Sequence, residues 1–161
     1  MTWAERKRAL YPGGRPTQKA KAIHRRFVTR PLPRLLPIAC VLEVRGHRSG
    51  RPIRVPLATV RHRGSWYLVS MFGEKANWVT NLRACGGDAV LTHGRRRRVR
   101  LVEVPLADRA PVIRRYLLLA PGARPHMPVT WRSPLAAIEA VAAEYPVFRV
   151  DRRSVAHRIS L

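Results

Sequence analysis

The chain has 161 residues, 32 Lys+Arg against 9 Asp+Glu, and a formal net charge of +23. That length is about one domain's worth, and 46% hydrophobic with 25% charged residues excludes wholesale disorder. The longest apolar runs, Ile38–Leu42 and Tyr116–Ala120, hold five residues each, far short of the ~20 of a membrane helix. The basic N-terminus lacks the ~7–15-residue apolar core of a secretory signal, so the expectation is a soluble, cytoplasmic protein. Cys40 and Cys85 stand 45 residues apart in apolar contexts, which reads as two reduced, packed thiols.

Residues 1–36 form a basic arm and residues 37–161 the globular part. Trp3–Pro16 reads as a loosely held arm with a Tyr11-Pro-Gly-Gly turn. From Pro16 to about Thr29, Ala20, Ile23 and Phe27 fall at helical spacing among basic residues, an amphipathic helix ended by Pro31, Pro33 and Pro37. From Ile38 the texture turns to short β-rich runs: strands at 38–45, 53–62 and 66–71, with turns at 46–52 and 63–65. Ala76–Ala84 has helical period with Trp78, Val79 and Leu82 on its apolar face, stopped by Gly86-Gly87. Residues 88–92 and 97–104 make a hairpin around His93-Gly94. Helices follow at about 108–119 and 134–144, separated by the proline-rich 121–128. Strands at 146–150 and 155–161 close the chain. Six or seven short strands paired by tight turns, with helices beside them, predict a mainly β protein built on a small antiparallel barrel.

The charge is unevenly placed. Residues 1–34 hold ten Lys/Arg and one acid, residues 45–63 six Arg and none, and Arg95–Arg98 is an unbroken run that reads as a solvated turn. Such fields attract nucleic acid, acidic headgroups or polyanionic small molecules, and Arg grips phosphate and carboxylate in bidentate fashion. No Walker loop, GxSxG elbow or HExxH pattern occurs, and the scattered acids form no catalytic pair. Two turns do look purposeful. In Arg45-Gly-His-Arg-Ser-Gly-Arg51 the glycines let backbone N–H groups curl toward an anion. Ser70-Met-Phe-Gly-Glu-Lys75 leads from a strand into a helix N-terminus near Asn77, where a phosphate or electron-rich ring edge is favoured. A plain hairpin turn would account for the first, and a helix cap at Asn77 for the second.

Gly46-x-Arg48-Ser49-Gly50-x-x-x-Arg54-x-Pro56-Leu57, a strand ending at Ser70, and Gly73-x-x-x-Asn77-Trp78-x-x-Asn81-Leu82 follow in order. Together they resemble the deazaflavin-dependent nitroreductase family, over about residues 40–104. The resemblance implies a split β-barrel of FMN-binding type. It also implies coenzyme F420, a reduced 8-hydroxy-5-deazaflavin, as hydride donor to nitro compounds, quinones or enones. By position, Arg48, Ser49, Gly50 and Arg54 would grip the phosphate and acidic tail. Ser70, Met71, Gly73 and Lys75 would line the cofactor, and Asn77, Trp78 and Asn81 would anchor the pocket wall. The chain departs from the pattern at Ile53, where a basic residue is usual, and in its Met-Phe-Gly-Glu loop. Its Pro121–Pro128 segment looks like a distinct actinobacterial branch. A hydride acceptor also needs a proton, for which Tyr116, His126 and Tyr145 are the candidates. Two other readings stand beside this one. The first is the same barrel with FMN. The second is a basic membrane-surface or nucleic-acid binder, the membrane form using the helix bearing Ile23 and Phe27. Nucleic acid is the less favoured partner, as no helix-turn-helix, zinc finger or aromatic RNA-binding motif occurs. A monomer and a homodimer fit equally.

Overall fold

The computed structural model describes residues 2–10, 12, 17–19, 21–22 and 37–151. The predicted helix at 16–29 lies mostly outside those residues, and the strand expected at 155–161 wholly so.

Six strands alternate inward and outward residues: β1 (Ala39–Arg45), β2 (Pro52–His62), β3 (Ser65–Val69), β4 (Asp88–His93), β5 (Arg95–Glu103) and β6 (Val147–Asp151). They close into an antiparallel barrel in the order β1-β2-β3-β6-β5-β4. Pairing of β1 with β4 completes the closure. On β1, Cys40, Leu42 and Val44 point inward and are buried, while Glu43 faces out. Arg63, at φ 46°, and Gly64, at φ 83°, form the two-residue hairpin turn joining β2 to β3, the geometry that suits strand twist.

One end of the barrel is stoppered by α2 (Asn77–Ala84), which inserts Trp78, Val79 and Leu82 among Leu42, Leu68, Leu91, Leu101 and Phe148. The Trp78 and Phe148 rings meet edge to face at 5.5 Å. A second apolar layer lies outside the barrel. There α3 (Leu106–Leu119) and α4 (Leu135–Val141) cover Val60, Val69 and Val147 with Ile113, Leu117 and Ile138, all almost fully buried.

Three expectations need correction. The arm expected at Trp3–Pro16 begins instead with a helix, α1 (Trp3–Ala9). A capping box holds its start: Thr2 N donates to Glu5 Oε2, and Glu5 N donates to Thr2 Oγ1. Arg8 Nε then reaches Pro125 O at 3.0 Å. Asn77 is no helix cap: the cap position is Ala76, without a side-chain bond. Arg95–Arg98 is not a turn but the first half of β5, with Arg96 and Arg98 paired across to Thr92 and Val90.

Candidate functional site

The 46–51 turn, the 70–76 loop and α2 all gather at the stoppered end, because β1 and β3 both finish there. One side chain fastens them. Asn81 is 3% exposed, and its Oδ1 accepts the His47 backbone N–H at 3.1 Å and meets His47 Nδ1 at 2.6 Å. An oxygen already accepting one N–H calls for a donor on the ring, so Nδ1 carries the proton.

Four of the turn's backbone donors, those of Gly46, His47, Gly50 and Arg51, are used within the protein. Gly46 N donates to Arg51 O, Gly50 N to Gly46 O, and Arg51 N to Ser49 Oγ at 3.3 Å. What the turn offers a ligand is the exposed Arg48 guanidinium, the Ser49 hydroxyl proton and the backbone N–H groups of these two residues, beside the exposed Gly50. Arg54, opposite Glu43 in the ladder, gives Nε to Glu43 Oε2 at 2.8 Å, while its two terminal nitrogens make no ion pair among the described residues. Arg96 reaches the other oxygen of the same carboxylate at 3.0 Å. These arginines hold the Glu43 carboxyl below its ordinary range, the Arg54 hydrogen bond contributing most.

The second loop divides into scaffold and surface. Ser70 is buried and its hydroxyl donates to Gly73 O at 2.8 Å, while its N–H donates to Pro146 O. Gly73 is buried at φ 67°, and a Cβ there would sit 2.6 Å from Glu144 O. Met71 packs half-buried against the outer helical layer. Lys75 and Asn77 are exposed, whereas Trp78 and Asn81 are buried. The loop is braced from behind. Arg83 makes a bidentate pair with Glu74 and also grips Glu103, Nη2 to Oε1 at 2.6 Å. Arg109 adds a second cation, holding Glu103, Val104 O and Ala142 O. Neither this brace nor the His47–Asn81 link is visible in the sequence, because Arg83 meets Glu74 and Glu103 across nine and 20 positions and His47 meets Asn81 across 34.

The three candidate proton donors are placed differently. The His126 ring lies edge-on to Phe72 at 4.9 Å, against the second loop. Tyr145 follows Glu144, whose carbonyl abuts Gly73, and burial pushes its phenol up. Tyr116 is sealed inside the outer helical layer, and burial raises its phenol strongly. Among the described residues no three His, Cys, Asp or Glu side chains are grouped to hold a metal, and no helix is long and apolar enough to cross a membrane.

The fold is similar to several solved structures. An F420-H2 dependent reductase (FDR-A) aligns with a TM-score of 0.51 at 18% identity, covering 71% of this chain and 94% of that one. A protein described as a domain-swapped dimer gives 0.51 and 18%, over 71% and 80%. The protein Atu2129 of Agrobacterium tumefaciens, of unknown function, gives 0.52 and 11%, over 71% and 47%. No curated protein matches the chain. Residues 17–126, which contain the 46–51 turn, Arg54, the 70–76 loop and α2, match a family model, and on that match the chain belongs to the F420H(2)-dependent quinone reductase family and is an F420-dependent oxidoreductase.

Proposed function

We propose that the protein reduces a small quinone at the stoppered end of the barrel, between the 46–51 turn, the 70–76 loop and His126. The observation that carries the placement is the Asn81–His47 link, which draws the two separated motifs into one wall. The residues present fit F420. A cofactor with a phosphate and acidic tail calls for cationic donors, and Arg48, Ser49 and the terminal nitrogens of Arg54 supply them. FMN shares the phosphate, but family membership favours F420.

When bound, reduced F420 supplies a hydride, and a quinone that gains hydride and one proton becomes a hydroquinone. The chain's own residues bind, orient and exclude water. Arg48, Ser49 and Arg54 anchor the anionic end. Met71 and Phe72 provide apolar surface beside the loop, and both pack on the core. His126, whose ring meets Phe72 edge to face against the second loop, is the proton-handling group among the three candidates. Tyr116 is sealed in the core and has no route to solvent-borne substrate.

Oxidation of reduced F420, followed optically, tests the reading with menadione, a nitroimidazole and a cyclic enone as acceptors. The expected order places the quinone first. Turnover of the nitro compound alone would overturn the quinone assignment. Arg48→Gln combined with Ser49→Ala is expected to weaken F420 binding at least tenfold. His126→Gln is expected to lower kcat and flatten its pH profile while leaving F420 affinity unchanged.

A further inference from the structure

An open groove of about 1110 Å³ lies on the outer face of the barrel, beginning at the stoppered end, where Ala84 and Cys85 at the end of α2 line it. It starts at Gly50 and Pro52, beside the anion-gripping turn, and continues across β1 and β4 to β5. Four arginines line it, Arg45, Arg96, Arg98 and Arg100, against two carboxylates, Glu43 and Asp88. Glu43 is already shared by Arg54 and Arg96, and Arg45, Arg98 and Arg100 make no ion pair among the described residues. Nothing in the barrel's packing requires cations here. Their outward positions cover no core, and alternate strand positions would accept Thr or Gln as readily.

The spacing is regular. Arg96, Arg98 and Arg100 share one face of β5, so successive guanidinium roots stand ~6.7 Å apart, two residues of strand. An evenly spaced row of cations in a groove this long matches a chain of anionic groups rather than a single ion. No aromatic side chain lines the groove, which removes the stacking platforms that single-stranded nucleic acid uses.

We infer that the β5 arginine row is a second anion site that binds a linear, base-free polyanion, a chain of carboxylates or phosphates lying along the groove. The ligand is either the acidic tail of the cofactor held at the adjoining turn or a separate polyanion. The cofactor-tail source rests on the proposed placement of F420, whereas binding of the probes by the arginine row does not.

Tetraglutamate and inorganic tripolyphosphate are the probes, titrated calorimetrically at low salt. Arg98→Gln with Arg100→Gln is expected to weaken both at least tenfold. Arg61→Gln with Arg115→Gln, two exposed arginines outside the groove, removes the same charge and is expected to change binding less than twofold. Both pairs sit on the surface, and circular dichroism checks that each variant is folded. Equal weakening by the two pairs would reduce the effect to net charge and overturn the site. So would absent binding to the unaltered protein, or tighter binding of a short oligothymidylate than of tetraglutamate. F420 titration then identifies the source. Lost F420 affinity in the groove pair, with competition by tetraglutamate, assigns the chain to the cofactor; unchanged affinity assigns it to a separate molecule. A protein that binds the probes but not F420 would retire the proposed function and leave the groove standing.

Discussion

At Gly73 the chain has no alternative residue. Its φ of 67° belongs to the left-handed region, and a methyl group would meet Glu144 O at 2.6 Å. Gly73→Ala is expected to destabilise the fold by about 2 kcal/mol or more, read as a lower urea midpoint, and to weaken F420 binding in parallel. Carboxylates give a pH signature. Glu43 and Glu74 both have folded-state values lowered, chiefly by hydrogen bonds from Arg54 and Arg83 respectively. Their contribution is therefore complete above the ordinary carboxylate range and is lost as pH falls through the lowered values. Urea midpoints measured from pH 6 down to pH 3 are expected to fall with pH, and Glu74→Gln is expected to flatten that slope.

At the scale of elements, the strands and α2 were legible because burial imposes a period on the residues that face the core. Cys40, Leu42 and Val44 alternate with outward residues, and Trp78, Val79 and Leu82 return at helical spacing. α1 departs from the expected arm because the Thr2–Glu5 capping box starts a helix ahead of the Tyr11-Pro-Gly-Gly turn. The Arg95–Arg98 run misleads because charge obscures strand propensity, and only pairing with β4 shows it as half of a ladder. The candidate site was legible as three motifs in order. Its internal logic was not, since Ser70, Trp78 and Asn81 proved to be buried framework around the exposed Arg48, Ser49 and Lys75. Framework and contact residues recur together in a motif, and sequence order does not separate them. Leu82, wholly buried in the stopper, tests the framework's weight. Leu82→Ala is expected to cost roughly 2–5 kcal/mol in chemical denaturation. Leu106→Ala, at 53% exposure, is expected to cost under about 0.5 kcal/mol.

For the whole molecule, the surplus of 23 positive charges divides into parts with different work. Arg83 and Arg109 brace the loop, Arg54 and Arg96 share Glu43, and Arg45, Arg98 and Arg100 face the groove. Closure of the sheet through β1–β4 leaves the six strands without a free edge, so this charge is not needed to keep edges apart. The stopper has a further consequence. Because α2 carries both the barrel's plug and the anchor of the 46–51 turn, a ligand spanning turn and loop clips the lid onto its container. Occupancy and folding are then one equilibrium. F420 at a hundredfold excess over its Kd is expected to add about 2.7 kcal/mol of stability, or roughly 5–10 °C in Tm. The melting curve thus reports on ligand even where no turnover can be measured, and Asn81→Ala, which unfastens turn from lid, is expected to shrink that shift.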